Sequence, residues 1–426
     1  MSRRAAAALA AALLLAAPRT AGAHAGLVSS TPAAGDTLRE APTRLVLRFT
    51  EPVEPSSSGV VLLTPGGGVL TLAPRRDPAD VASLRADLPA LAAEGYRVQW
   101  RTLSADGHPV DGTFVFYLAD AVGRAGPAPA ERMLAPPSSP LPRLAAAALR
   151  GLGVGALAAL GGLLALGLVG GADDARVRRW SVVLAWAAAL LLPAHAAAWA
   201  VYARGPGDGP LAALLTGTHP GHAEVARAAL AVLALWALAL ALRPGLALAF
   251  VAGAVAASGF AGHSLAIHPA WSVPAKALHL AAVCAWLGGV TALWLTRRRE
   301  AAFQSLATRV SSCSLAAVIA LTVTGVAQTL LFAPDLGLLV RSTYGAVLAA
   351  KLAGMAALVA MGARNRFRLV PRLPAGDAER AVRRLAAAEV GVMALVLLAA
   401  GLLAYIPVPR PAADTEAHPH HHEMNR

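Results

Sequence analysis

Leu144-Ala-Ala-Ala-Ala-Leu-Arg-Gly-Leu-Gly-Val-Gly-Ala-Leu-Ala-Ala-Leu-Gly-Gly-Leu-Leu-Ala-Leu-Gly-Leu-Val-Gly170 holds one charged residue, Arg150. An α-helix needs about 20 apolar residues to cross hydrocarbon, so this stretch reads as a transmembrane helix. Seven more apolar segments follow, near 180–203, 223–242, 245–263, 272–296, 310–333, 343–363 and 385–407. The break between the third and fourth rests on Arg243-Pro-Gly245. With 57% hydrophobic residues, 14% charged and a mean hydropathy of +0.57, the composition excludes an ordinary soluble globule. Positive charge crowds the loops that face inward if the N-terminus lies outside, as at Arg297-Arg-Arg299 and Arg364-Asn-Arg-Phe-Arg368. The positive-inside rule then favours eight spans and an external C-terminus.

Upstream, the chain changes solvent. Residues 24 to 118 carry eight Arg against ten Asp plus Glu, the charge density of a soluble domain. Leu45, Leu47 and Phe49 alternate with polar neighbours, and the same period of two recurs in Tyr96–Thr102 and Thr113–Leu118. Turn residues separate these runs at Pro65-Gly-Gly-Gly68 and Asp106-Gly-His-Pro109. About seven short strands in an immunoglobulin- or cupredoxin-like sandwich are expected. Since the net charge of +13 lies wholly outside this domain, a nucleic-acid-binding face is not expected.

Five regions follow: a signal peptide at 1–23, a β-sandwich at 24–118, a Pro/Ala-rich tether at 119–142, a membrane bundle at 143–408 and a His-rich tail at 409–426. Arg3 and Arg4, the apolar run 5–17 and Ala21-Gly-Ala23 have the form of a cleavable secretory signal. Cleavage would make His24 the N-terminus and so add a free amine to its imidazole. The two cysteines, Cys284 and Cys313, both sit in apolar runs, so no disulfide framework is available.

Metal chemistry rests on histidine. The turn Asp106-Gly-His108 can aim a carboxylate and an imidazole at one point. With His24 the set becomes three nitrogens and one oxygen, suited to tetragonal Cu(II). No Met or Cys lies between residues 24 and 132, so soft Cu(I) ligands are missing there. Within the membrane segments His195, His263 and His279 fall in the outer half. Buried ionisable residues are costly and mark pathways or ligand sites, so these three are candidate path residues, as is Lys351. Lys351 and Glu389 could also pair. His418, His420, His421 and His422 form a low-affinity metal tail.

His24-Ala-Gly-Leu-Val-Ser-Ser-Thr-Pro-Ala-Ala-Gly35, Leu47-Arg-Phe-Thr-Glu-Pro-Val-Glu54 and Trp100-Arg-Thr-Leu-Ser-Ala-Asp-Gly-His-Pro-Val-Asp-Gly112 resemble the CopC family of periplasmic copper-binding proteins. The resemblance implies Cu(II) held by His24, Asp106 and His108, with Glu51 behind them as a supporting partner. The Met-rich Cu(I) loop of other members has no counterpart here. The bundle resembles CopD at Ser258-Gly-Phe-Ala-Gly-His263, His279–Gly289 and Tyr344–Lys351 with Asn365. A CopC–CopD fusion implies copper transport across the cytoplasmic membrane, or copper tolerance, with the sandwich and the tail on the periplasmic side. The expected partners are copper ions, the lipid bilayer, periplasmic copper donors and a cytoplasmic acceptor. Two other readings stand beside a non-enzymatic transporter: a haem-bearing membrane copper reductase using paired His, and a membrane-anchored copper buffer or sensor. No phosphate-binding Gly-x4-Gly-Lys-Ser/Thr loop is present, which argues against ATP coupling in this chain.

Overall fold

The computed structural model describes residues 26–104, 107–124, 126–127, 140–169, 174–204, 210–241, 243–260, 269–296, 300–332, 336–375 and 378–406. Nine strands build two sheets: β1 Leu27–Thr31, β2 Thr37–Leu38, β3 Arg44–Phe49, β4 Val53–Leu63, β5 Val69–Leu72, β6 Arg75–Asp77, β7 Asp80–Asp87, β8 Gly95–Ser104 and β9 Pro109–Leu118. The orders are β1-β3-β7-β6 and β2-β9-β8-β4-β5. Every pairing is antiparallel except β2 with β9. The three alternating runs are β3, β8 and β9. The expected seven strands become nine because β2 and β6, two and three residues long, are too short to show a period.

Alternation along β3 buries Leu45, Leu47 and Phe49 and leaves Arg44 and Arg48 exposed, as a pleated strand with one wet face requires. Leu62, Val98 and Phe116 meet them from the other sheet, each fully buried. Trp100 packs edge-on against Phe49 with ring centroids 5.2 Å apart, and Tyr96 stacks on Phe116 at 5.4 Å.

The bundle has ten α-helices among the described residues: α1 Pro140–Leu168, α2 Ala175–Ala203, α3 Leu211–Gly217, α4 His219–Ala239, α5 Pro244–Gly259, α6 Pro269–Leu295, α7 Glu300–Phe332, α8 Leu336–Val340, α9 Thr343–Arg364 and α10 Glu379–Leu403. A π turn at Asn365–Leu369 and a 3-10 turn at Val370–Ala375 end the seventh of the long segments. Helix α1 starts at Pro140, inside the stretch expected as tether; a proline in the first turn leaves no intrahelical bond unmade. Among the described residues seven helices are long and apolar enough to cross a membrane, and the chain is a multi-pass membrane protein. Helix α5, sixteen residues, covers about 24 Å at 1.5 Å per residue.

Small residues let the helices close up, the usual solution where lipid removes the hydrophobic drive. Gly162 of α1 faces Cys284 and Gly288 of α6, and Gly151 of α1 faces Leu397 and Leu398 of α10. Leu163, Val177, Ala292 and Leu295 gather at the end away from the sandwich. Arg309 reaches the Val169 carbonyl at that same end.

The opposite end of the bundle touches the sandwich. Leu103 of β8 packs in one cluster with Ala146, Ala147, Trp199, Ala200, Ala203, Leu214 and Tyr405. The start of α1, the end of α2, the start of α4 and the end of α10 therefore share one side. Only an even number of passes returns Tyr405 to the side where α1 begins, so α5 has to count as the eighth. The sequence reading set the sandwich apart on a tether; instead its turn end is docked on the helices.

Candidate metal-transfer site

Ser104, Gly107 and His108 close a tight turn between β8 and β9. Gly107 N donates to Ser104 O at 2.9 Å and Ser104 N to His108 O at 3.0 Å, which requires the left-handed backbone of Gly107, φ +87°. The buried Ser104 hydroxyl donates to Glu51 Oε1. One residue before Glu51, Thr50 is tied to Gly26 in both directions: Gly26 N donates to Thr50 Oγ1, and Thr50 N to Gly26 O, each at 2.9 Å. Gly26, Thr50, Glu51, Ser104 and His108 thus sit at one end of the sandwich. His24 and Asp106 lie outside the described residues, as do His263 and the tail histidines His418, His420, His421 and His422. Among the described residues no three His, Cys, Asp or Glu side chains converge as a metal site.

The turn meets the bundle through hydrogen bonds as well as packing. Trp199 Nε1 donates to Gly107 O at 3.0 Å, and His108 Nε2 bonds the Ala404 carbonyl. His219 N, at the start of α4, donates to Glu54 Oε1 at 3.3 Å, and Arg101 donates to Arg204 O at 3.3 Å. Arg204 and His219 lie at helix ends whose backbone groups have no intrahelical partner, so docking satisfies them.

Directly beneath is a buried polar cluster. His195, with its ring fully buried, places Nε2 2.7 Å from the Tyr405 hydroxyl, Nδ1 2.9 Å from Glu224 Oε2 and Nδ1 3.0 Å from Arg227 Nη2. Arg227 also pairs with Glu224 one turn away on α4. The Tyr405 ring centroid lies 6.3 Å from that of His195 and 6.1 Å from that of His108. One tyrosine therefore spans from the sandwich's turn to the interior of the bundle.

His279 stands apart from this cluster. Its Nδ1 pairs with Thr324 Oγ1 of α7 at 2.8 Å, whereas the partners of His195 come from α4 and the end of α10. The rings of His195 and His279 therefore bond different neighbours. Lys351 and Glu389 make no ion pair. Glu389 is 1% exposed and its Oε1 has no hydrogen-bond partner.

Glu224 and Arg227 are the residues sequence reasoning missed. The signal was present: a Glu and an Arg three apart, just inside an apolar helix, are neighbours on one face. Their pairing with His195 and Tyr405 comes only from the packing of three helix ends.

Comparison with known proteins resolves the two halves. Residues 27–119 match the CopC domain family. Copper resistance protein C of Escherichia coli is 33% identical over 104 residues, covering 22% of this chain and 80% of that protein. The chain belongs to the CopC family. Residues 304–403 match the copper resistance protein D family, CopD, so one chain carries both matches. Copper transport protein CutJ of Bacillus subtilis (strain 168) is 32% identical over 111 residues, 25% of this chain and 20% of that protein; the match spans only a fifth of CutJ. The crystal structure of CopC from Methylosinus trichosporium OB3b is 31% identical, covering 26% of this chain and 99% of that one, with a TM-score of 0.22. The turn with His108 lies within the CopC match. Lys351 and Glu389 lie within the CopD match, while His195, Glu224 and His279 precede it.

Proposed function

We propose that this fusion captures Cu(II) on its CopC domain outside the cytoplasmic membrane and passes copper inward through the CopD-type bundle. The ion is cargo, held at the sandwich by His24, Asp106 and His108, with Glu51 steadying the turn through Ser104. The docking of the His108 turn onto the bundle carries the reading: a donor that hands an ion to a channel has to place its ligand at the channel's mouth. Gly26 pinned to Thr50 supports His24 as a ligand, because two residues of chain span at most about 7 Å. A nitrogen-rich set with one carboxylate suits Cu(II) by ligand type. Copper resistance and copper transport stand in the names of the relatives above, and both fit. The end of the bundle that bears the sandwich is then the periplasmic side, and copper donors and acceptors are met on opposite faces.

Uptake of radiolabelled copper into proteoliposomes tests this. Wild-type protein should load copper. His24→Ala/His108→Ala should retain entry at high copper but lose it at low copper. Copper entry in wild type no faster than in empty liposomes would defeat the proposal.

A further inference from the structure

The geometry points to a second, buried cation site inside the bundle, made by His195 and Glu224 and filled in this conformation by the guanidinium of Arg227. It deepens the transport reading and rests on it for the identity of the ion, a divalent late transition metal such as Cu(II). Three observations converge on it.

First, a ring nitrogen and a carboxylate oxygen face one point. His195 Nδ1 and Glu224 Oε2 are 2.9 Å apart, and Arg227 Nη2 lies against both of them. Imidazole nitrogen and carboxylate oxygen are the donors that Cu(II) and its neighbours accept. The other ring nitrogen is engaged by the Tyr405 hydroxyl, the arrangement that fixes a metal-binding histidine in orientation and tautomer.

Second, Arg227 is an imperfect tenant. It is 1% exposed, yet its Nε and Nη1 have no hydrogen-bond partner. A buried guanidinium recovers its desolvation cost only when its donors are satisfied. Arg150 of α1 adds a second positive charge that acts on His195, Arg227 and Tyr405. With Arg227 in place the cluster repels cations. When Arg227 withdraws, a carboxylate and an imidazole are left facing each other.

Third, the cluster lies on the line of transfer. Tyr405 bridges His108 and His195 in two steps of about 6 Å between ring centroids. An ion released at His108 is one tyrosine away from this cluster. Arg227 is therefore a gate held shut by Glu224, and the arriving ion exchanges for it.

The test uses the full chain in lipid nanodiscs with His24→Ala/His108→Ala to silence the sandwich, and Cu(II) added alone. By electron paramagnetic resonance, Arg227→Gln should bind one more equivalent of Cu(II) than this parent, with nitrogen coupling from a single imidazole. Adding Glu224→Gln should abolish that equivalent. A folded, monodisperse Arg227→Gln that binds no more copper than the parent would overturn the inference. Should that variant fail to fold, Glu224→Gln/Arg227→Gln in the otherwise wild-type chain removes both charges together. Its copper uptake should fall at least ~10-fold while Cu(II) binding by the sandwich is unchanged; uptake at the wild-type rate would also overturn it. If wild-type protein moves no copper, the transport reading fails, and the extra equivalent in Arg227→Gln still decides the site.

Discussion

Asp80 shows how single side chains set the sandwich's response to pH. Its carboxylate accepts from Ala82 N at 3.0 Å and from the Ser83 hydroxyl at 2.8 Å, with Arg48 at 3.3 Å. These hold its pKa below the ordinary aspartate value, the Ala82 N–H most strongly, then the Ser83 hydroxyl, against desolvation. A depressed pKa stabilises the fold above the unfolded-state value, and that stability is lost as pH falls through the folded-state value. Asp80→Asn should lower the melting temperature of the sandwich near pH 7, with the difference from wild type shrinking as pH falls below the ordinary aspartate value of about 3.9. Thermal melts across that range check it; a gap that persists in acid would show that the carboxylate's charge is not the cause. Tyr96 moves the other way: burial, then Glu94, raises its phenol above the usual range, so it stays a neutral donor to Ala92 O at 3.0 Å.

Among the elements, α1 and α6 approach closely. A Cβ at Gly162 would come within 2.6 Å of the Gly288 Cα, and backbone cannot step aside as a flexible side chain can. Gly162→Ala should destabilise the bundle by about 1–3 kcal/mol through overpacking, read as an earlier thermal transition in detergent with the sandwich's own transition unmoved. Gly167→Ala, on the same helix with nothing within 4 Å, should be silent. Helix α5 carries a different consequence. It is the shortest pass, and without it the docked position of Tyr405 beside His195 could not be reached by a chain that starts α1 on the same side.

For the molecule as a whole, the sandwich meets the bundle through Gly107 and His108. Trp199 is the main anchor, 4% exposed, with its indole N–H on Gly107 O. Trp199→Ala should remove about 3–5 kcal/mol of packing and release the sandwich, seen as faster proteolytic cleavage between residues 125 and 139 that yields an intact sandwich. Unchanged cleavage would mean that docking does not depend on that contact. Much of this protein was legible in the amino-acid order. Period-two alternation in Arg44–Phe49 and long apolar runs such as 144–170 declare half-buried strands and membrane helices, because each is a local pattern imposed by the solvent on either side. The His108 turn was legible too, since Gly and Pro punctuate it. What the order of residues could not state is which helix ends meet. Glu224 and Arg227 are three apart in sequence, but His195 and Tyr405 are brought to them from about 30 and 180 residues away. Burying a carboxylate and a guanidinium is tolerable only when partners surround them, and only the tertiary structure supplies those partners, directly beneath the docked sandwich.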